Sequence, residues 1–148
     1  MRLFIIIAAL TGIGILVLSC ERDQYYTAPD ASLSFSDDTV YFDTIFTTIG
    51  STTRQLRVRN SYDRVLKLNS IHLAGGDQSA FRLNVDGQAL NSVLDVEIPP
   101  GDSIYIFVEV TLDPNNVDSL LVVQDSILFN TNGNTQDVDL IAWGQDMH

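Results

Sequence analysis

The sequence predicts an all-β domain, an antiparallel β-sandwich of about seven to nine strands. Short segments of alternating apolar and polar residues are separated by turn signals roughly every 8–12 residues, and no window combines helical periodicity with capping residues. The clearest alternation follows a Pro-Pro-Gly-Asp turn at residues 99–102. Five aliphatic residues recur there at every second position: Ile104, Ile106, Val108, Val110 and Leu112. Because alternate residues of an extended chain share a face, this segment predicts the central core strand.

The opposite face of that strand carries Tyr105 and Phe107 early and Glu109 and Thr111 late. Such a mixture is typical of a sheet face that a loop or a second sheet covers only in part. We therefore expect the side chain of Tyr105 to pack within or beside a sheet.

Shorter strands precede this segment. We predict strands at 33–35 and 40–42 around Asp37-Asp38, followed by an apolar segment at 43–49 that ends in a Gly50-Ser51 turn. A strand around Leu56 and Val58 comes next, and a turn at 60–63 separates it from a strand that runs from Leu66 to Leu73 and is ended by Gly75-Gly76. The last predicted elements before the central strand are a strand at 81–85, ended by Asp86-Gly87, and a loop at 88–94. Asn, Asp and Gly suit these turns through their side-chain hydrogen bonds or their missing Cβ. The inward positions change parity between Leu68 and Ile71, which predicts a bulge or strand switch near Asn69-Ser70.

Two more strands follow a polar loop at residues 113–119. The first runs from Val122 to Phe129, and a hairpin turn at 131–134 contains Asn-Gly. The closing strand places Val138, Leu140 and Ala142 on one face and Ile141 and Trp143 on the other.

The first twenty residues predict a signal peptide rather than part of the fold. Arg2 precedes an apolar run from Leu3 to Leu18, and Ser19 stands directly before Cys20. This pattern resembles the lipobox of bacterial lipoproteins, in which the cysteine is diacylated on sulfur, the preceding peptide is removed and the new amino terminus is acylated. The resemblance implies a mature chain that starts at a lipidated Cys20. An uncleaved anchor and another type of secretory signal are the alternatives, although the apolar run is shorter than the roughly 20 residues of a spanning helix.

The chain divides into three parts on this interpretation: a lipoprotein signal peptide at 1–19, a lipidated tether at 20–31 and a β-sandwich at 32–146. The mature length suffices for one domain with a real core and is too short for two. Cys20 is the only cysteine, so no intramolecular disulfide can form and the fold rests on its core.

The chain is acidic, with a formal net charge of −11 that becomes −12 when the segment holding Arg2 is removed. Nucleic acid and anionic lipid are therefore poor partners, because phosphate binding requires a basic surface. Most basic residues lie in one middle segment: Arg54, Arg57, Arg59, Arg64, Lys67 and Arg82. They are either the solvated faces of strands or a local basic face that docks an acidic partner or a glycan.

A series of landmarks follows a set order along the chain. They are Val58-Arg-Asn60, Leu66-Lys-Leu68, Phe81, Ile98-Pro-Pro-Gly-Asp-Ser103, Val108-Glu-Val110, Pro114, Phe129-Asn-Thr-Asn-Gly133, Val138-Asp-Leu140 and Trp143-Gly144. Together they resemble the immunoglobulin-like domains of the ASH/Hydin and major-sperm-protein type, in particular those near the N-terminus of exported bacterial lipoproteins. The resemblance covers residues 33–145 and implies a spacer or protein-binding module with no catalytic residue and no cofactor. Many relatives continue into a larger region, often a parallel β-helix, so the chain is either a stand-alone module or part of a longer protein.

Five Asp-Ser/Thr-aliphatic triplets resemble the sequon for O-glycosylation of exported proteins in some Gram-negative bacteria. Their hydroxyl residues are Thr39, Thr44, Ser103, Ser119 and Ser126. The same triplet commonly starts a strand after a turn. The five positions are therefore either modification sites or ordinary strand starts.

No motif predicts catalysis or metal binding. The sequence holds no Gly-x-Ser-x-Gly elbow, no phosphate-binding loop and no His-Glu-x-x-His, and its histidines are His148 and an outward-facing His72. Residues 113–118 supply oxygen ligands that suit Ca²⁺, but their spacing does not match an EF-hand loop. We expect no enzyme activity and no bound metal.

The expected function is that of a non-enzymatic sandwich, lipid-anchored in the cell envelope, that serves a protein partner or a C-terminal domain as an interaction or spacer module. We expect it at the outer membrane, on the periplasmic or the surface face; retention at the inner membrane is the alternative. The alternative is a glycan-binding accessory lipoprotein of a nutrient-uptake system, which requires exposed aromatic side chains grouped together. The exposure and coplanarity of Tyr62, Tyr105 and Trp143 discriminate between the two. We expect Trp143 to pack in the core or at the end of the sandwich.

Overall fold

The computed structural model describes residues 25–46, 51–111 and 121–145. Nine strands lie in these ranges: β1 (Ser34–Phe35), β2 (Thr39–Phe46), β3 (Ser51–Arg59), β4 (Leu66–Leu73), β5 (Phe81–Val85), β6 (Ser92–Ile98), β7 (Ser103–Thr111), β8 (Leu121–Thr131) and β9 (Asn134–Gln145). A short 3-10 turn, Gly76–Gln78, connects β4 to β5. Among the described residues, no helix has the length and apolar character needed to cross a membrane.

The strands form two sheets that pack as an immunoglobulin-like sandwich, which confirms the predicted fold class. The four-stranded sheet has the order β1-β3-β7-β5, and the five-stranded sheet has the order β2-β9-β8-β4-β6. One pairing departs from the antiparallel expectation, because β2 runs parallel to β9. The chain passes from β1 in one sheet to β2 at the edge of the other, and it enters that sheet in the direction of β9.

The core lies between the sheets and is built from their inward faces. In β7, Ile104 is 5% exposed and Ile106, Val108 and Val110 are fully buried, as the alternation predicts. Aromatic contacts connect the two layers: the rings of Phe42 and Phe81 lie 5.6 Å apart, and those of Phe35 and Phe129 lie 4.8 Å apart.

The two most specific local predictions are confirmed. The pairing of β4 with β8 shifts register between Leu68 and Ser70, where the change of parity predicts a bulge. The β8–β9 hairpin turns at Asn132 and Gly133, which have φ of 52° and 83°. Positive φ at both positions is typical of the two-residue turns that fit twisted hairpins.

Three boundaries differ from the prediction. Ser51 begins β3 instead of lying in a turn, and one strand, β2, covers both the strand predicted at 40–42 and the described part, up to Phe46, of the segment predicted at 43–49. The loop predicted at 88–94 is wrong at its end, because β6 begins at Ser92 and buries Val93. Asp95 has a φ of 56° and interrupts the alternation of β6, which hides the strand in the sequence.

Residues 25–31 lie against the domain, although the sequence assigns them to the tether. The ring of Tyr26 stacks on that of Tyr62. The backbone N–H of Tyr26 donates to the carbonyl of Val65 at 2.8 Å. Ala31 is fully buried. The rest of the assigned tether, Cys20 and the signal peptide lie outside the described residues.

Candidate interaction surfaces

The outer face of the four-stranded sheet carries exposed aromatic and arginine side chains. Alternation along β3, β5 and β7 turns aliphatic residues inward and their neighbours outward. Tyr105 and Phe107 are 45% and 44% exposed on β7, an internal strand of this sheet. We call this surface the arginine–aromatic face; it comprises Arg57, Arg59, Arg82, Tyr105 and Phe107.

The register of the strands places arginine beside the aromatic rings. Arg57 lies directly opposite Tyr105, and Arg59 lies opposite Ser103 at the next position on the same face. Within the part of the chain that the structure describes, neither arginine forms an ion pair. Both guanidinium groups are therefore available to another molecule.

Arg82 supplies the third guanidinium from β5. Its Nη1 atom donates to the backbone carbonyls of Ser79 and Phe81, so the side chain is held in place. Glu109 lies opposite Arg82. Among the residues of β1, β3, β5 and β7, Glu109 is the only one with an acidic side chain. The face is thus locally basic on a chain whose net charge is −11.

The structure divides the six basic residues noted in the sequence. It brings Arg57, Arg59 and Arg82 to one face, as the hypothesis of a local basic surface requires. Lys67 lies on the five-stranded sheet, where its Nζ is 3.9 Å from a carboxylate oxygen of Asp95. Sequence spacing does not separate these groups, because the assignment depends on which sheet each strand joins.

A second exposed aromatic group lies on the outer face of the five-stranded sheet. The rings of Tyr41 and Trp143 are 5.9 Å apart and nearly parallel, with an angle of 7° between their planes. Tyr41 is 56% exposed and Trp143 is half-buried. Of the two places expected for Trp143, the core is therefore wrong; the residue lies on the outer face of the sheet, close to the end of β9. Val122 is 46% exposed and pairs with Trp143 on the neighbouring strand.

A polar recess of about 260 Å³ lies on the same sheet, formed by β8 and β9. Gln124, Ser126, Asp139 and Ile141 line it. The hydroxyl of Ser126 donates to Asp139 Oδ1 at 2.9 Å. Tyr41 pairs with Ile141 in the register of β2 and β9, so the aromatic pair and the recess are neighbours.

The three aromatic residues chosen as discriminators occupy three different places. Tyr62 packs at one end of the sandwich against Tyr26, Tyr105 lies on the four-stranded sheet and Trp143 lies on the five-stranded sheet. They do not form one platform. The partner of Trp143 is Tyr41, which sequence reasoning missed because only the parallel pairing of β2 and β9 brings them together.

The sequon positions that the structure describes are outward positions: Thr39 and Ser103 begin β2 and β7, whereas Ser126 lies in the middle of β8. Thr39, Ser103 and Ser126 are each half-buried, and the aliphatic residue that follows each of them is buried in the core. The hydroxyl of Ser126 is engaged by Asp139. Ser119 and the side chain of Thr44 lie outside the described residues, as does the lipidation candidate Cys20.

A wider cleft of about 680 Å³ opens near the β4–β5 and β5–β6 connections. His72, Asp77, Arg82 and Leu90 are among its lining residues, and Leu90 is 51% exposed. In the described ranges, no group of three or more His, Cys, Asp or Glu side chains is placed to hold a metal ion. His72 projects from β4, half-buried, opposite Ser92 of β6, which agrees with its predicted outward position.

Comparison with known proteins gives similarity of fold alone. No protein-family model matches the sequence, and no curated protein matches it. Among solved structures, the chain is similar to a protein of unknown function from Porphyromonas gingivalis, with a TM-score of 0.55, 16% identity and coverage of 74% of this chain and 45% of that one. It is also similar to a family 123 glycoside hydrolase from Clostridium perfringens, with a TM-score of 0.53, 6% identity and coverage of 78% of this chain and 27% of that one. This chain therefore spans less than half the length of either protein.

Proposed function

We propose that this protein is a lipid-anchored, non-enzymatic module of the cell envelope that binds another protein through the arginine–aromatic face. The observation that carries the proposal is the exposure of Tyr105 and Phe107 on an internal strand. Aromatic residues and arginine are enriched at protein interfaces and at their energetic centres, whereas lysine and acidic residues are depleted. The composition of this face matches that of an interface.

The partner surface is acidic in this proposal. Three guanidinium groups and one carboxylate leave the face positive, and Arg57 and Arg59 lack ion-pair partners in the described ranges. Complementary charges orient two proteins and accelerate their association. A basic partner would instead be repelled at the centre of contact.

A photo-reactive phenylalanine analogue at position 107 tests the face in living cells. We expect one protein partner to be cross-linked at position 107, and the Arg57→Glu substitution to abolish that product. Leu94 is the matched control position, because it is 67% exposed on the other sheet. The same products from positions 94 and 107, or a product unaffected by Arg57→Glu, would contradict the proposal.

Intact-mass analysis of protein purified from its own membranes tests the anchor and the sequons. The expected mass is that of a chain beginning at Cys20 with its acyl chains, and Cys20→Ala removes the acyl mass. Additional hexose-sized increments would support O-glycosylation of the Asp-Ser/Thr triplets. An unprocessed mass, or a mass that Cys20→Ala changes only by the substitution itself, would rule out the lipoprotein assignment.

A second candidate function is glycan binding at Tyr41 and Trp143, beside the polar recess of Gln124, Ser126 and Asp139. Parallel aromatic rings can stack on the C–H face of a sugar, and planar polar side chains can bind its hydroxyl groups. Trp143 is the only tryptophan, so its fluorescence reports directly on this surface. A saturable shift with soluble polysaccharides that Tyr41→Ala abolishes and Tyr105→Ala preserves would favour this function over protein binding.

A further inference from the structure

We infer that one end of the sandwich faces the lipid surface at close range and in a set orientation. We call it the anchor end; it consists of the turns at 60–65, 99–102 and 132–133 together with the segment 25–31. The inference rests on the lipid anchor at Cys20 in the proposed function. It adds which surface of the domain meets the membrane.

The segment 25–31 is held by hydrogen bonds from two sides. The hydroxyl of Tyr25 donates to Glu97 Oε1 at 2.7 Å, close to the end of β6. On the other side, Asn132 Nδ2 donates to the carbonyls of Tyr26 and Ala28 at 2.7 and 3.1 Å. Asn134 Nδ2 donates to the carbonyl of Ala31 at 2.8 Å.

Aromatic packing and burial add to these bonds. The ring of Tyr26 lies 3.9 Å from that of Tyr62 in the β3–β4 turn, and Ala31 is fully buried. Asn60 connects the neighbouring turns, because its Nδ2 donates to the carbonyls of Ile98 and Pro99. The chain therefore becomes part of the folded domain at Tyr25, not after residue 31.

Chain length then limits the distance between domain and membrane. Four residues lie between Cys20 and Tyr25. Whatever their conformation, the five Cα–Cα steps from Cys20 to Tyr25 span at most about 18 Å. A free tether ending at residue 31 would reach about 40 Å. Because a nine-residue strand is about 30 Å long, the longer tether would let either end of the sandwich reach the lipid, whereas the shorter one keeps the anchor end nearest.

This orientation determines which surfaces of the domain lie away from the lipid. The strands lead away from the anchor end, so the β4–β5 connection at residues 74–80 lies farther from the lipid. The arginine–aromatic face runs along the strands and is turned sideways, where a partner in the same membrane or beside it can reach it. The lipid thus meets turns and the N-terminal segment, and not the proposed binding face.

Site-specific fluorescence quenching tests the orientation with the full lipidated chain in vesicles that contain a headgroup-labelled quencher lipid. Asp63→Cys labels the anchor end and Asp77→Cys labels the opposite end; both positions are exposed. Since Cys20 is acylated, each variant has one reactive thiol. We expect several-fold stronger quenching at position 63 than at position 77.

A spacer variant supplies the control. A flexible insertion of about 20 Gly and Ser residues between Asp23 and Gln24 lengthens the reach well beyond one strand length, and it should remove most of the difference between the labels. Tyr26→Ala combined with Asn132→Ala should reduce the difference in the same way, while circular dichroism shows an intact sandwich. Equal quenching at the two positions in the lipidated chain of natural length, or stronger quenching at position 77, overturns the orientation alone. A chain without acyl mass overturns the anchor and this inference together.

Discussion

Tyr26 and Tyr62 stack with their ring centroids 3.9 Å apart and their planes 17° from parallel. The backbone N–H of Ser32 donates to the hydroxyl oxygen of Tyr62 at 3.1 Å. Through these contacts the residues before β1 and the β3–β4 turn form one packed unit. The pair also gives the two tyrosines different acidities, which makes the packing measurable in solution.

The pKa of Tyr62 is lowered and that of Tyr26 is raised from the ordinary value of 10.0. Hydrogen bonds from the side chain and backbone of Ser32 favour the phenolate of Tyr62, whereas desolvation and then the nearby Asp30 carboxylate disfavour that of Tyr26. In an ultraviolet absorbance titration we expect Tyr62→Phe to remove an early step and Tyr26→Phe to remove a late one. Identical curves for the two variants would show that the pair is not packed in solution.

The same shifts predict opposite effects of alkaline pH on the free energy of unfolding. The contribution of Tyr62 appears as the pH rises from its lowered pKa toward 10.0 and persists above that value. The contribution of Tyr26 is present below pH 10.0 and is lost as the pH rises through its raised pKa. Urea denaturation across this range should therefore show Tyr26→Phe losing less stability above pH 10.0 than the unmodified protein.

Asn60 is fully buried and holds two turns together, the β3–β4 turn in which it lies and the β6–β7 turn. Its Nδ2 donates to the carbonyls of Arg64, Ile98 and Pro99, and its Oδ1 accepts the N–H of Tyr62. Asn60→Ala leaves these buried groups without partners, so we expect a loss of about 2–4 kcal/mol in the free energy of unfolding. Urea denaturation measures it.

Two further variants, Asn60→Asp and Asn130→Ala, provide the comparison for Asn60→Ala. Asn60→Asp keeps the shape but removes the donors, and it should destabilise the protein by a similar amount. Asn130→Ala removes one long 3.5 Å hydrogen bond at an exposed pair and should change stability by less than about 1 kcal/mol. A loss at Asn60 no greater than that at Asn130 would contradict the assigned network.

Two adjacent residues of β7 should differ strongly in how much stability the protein loses when each is replaced by alanine. Ile106 is fully buried and Phe107 is 44% exposed on the other face. We expect Ile106→Ala to cost about 2–5 kcal/mol of stability and Phe107→Ala to cost much less, because only the first leaves a cavity. Thermal denaturation distinguishes them, and a larger loss for Phe107→Ala would mean that the strand faces the other way.

Asp125 holds the connection between β4 and β5. Its Oδ1 accepts the N–H of Gly75 at 3.0 Å, and its Oδ2 accepts the hydroxyl of Ser79. We expect Asp125→Ala to cost about 1–2 kcal/mol of stability and to speed hydrogen exchange at the Gly75 amide. Asp137→Ala, an exposed control on β9, should leave that exchange rate unchanged.

Much of the architecture follows from local patterns in the sequence. The alternation of β7 specifies which side chains are buried, since an extended chain places every second residue on one face. The Asn-Gly turn before β9 and the bulge near Asn69 also follow from local rules, because backbone conformation there depends on neighbouring residues. The wrong prediction of a loop where β6 begins at Ser92 also has a local cause, since the positive φ of Asp95 breaks the alternation that reveals a strand.

The candidate surfaces depend on strand pairing between distant residues. The sequence by itself determined the sandwich, the inward residues and the candidate lipid-bearing cysteine, each of which depends on short-range order along the chain. The tertiary structure alone decided that Arg57 and Tyr105 share a face, that Tyr41 stacks on Trp143 and that Tyr26 packs on Tyr62. The physical reason is that short apolar strands of similar composition can pair in many orders, and only the simultaneous burial of both sheets selects one order and brings the outward side chains together.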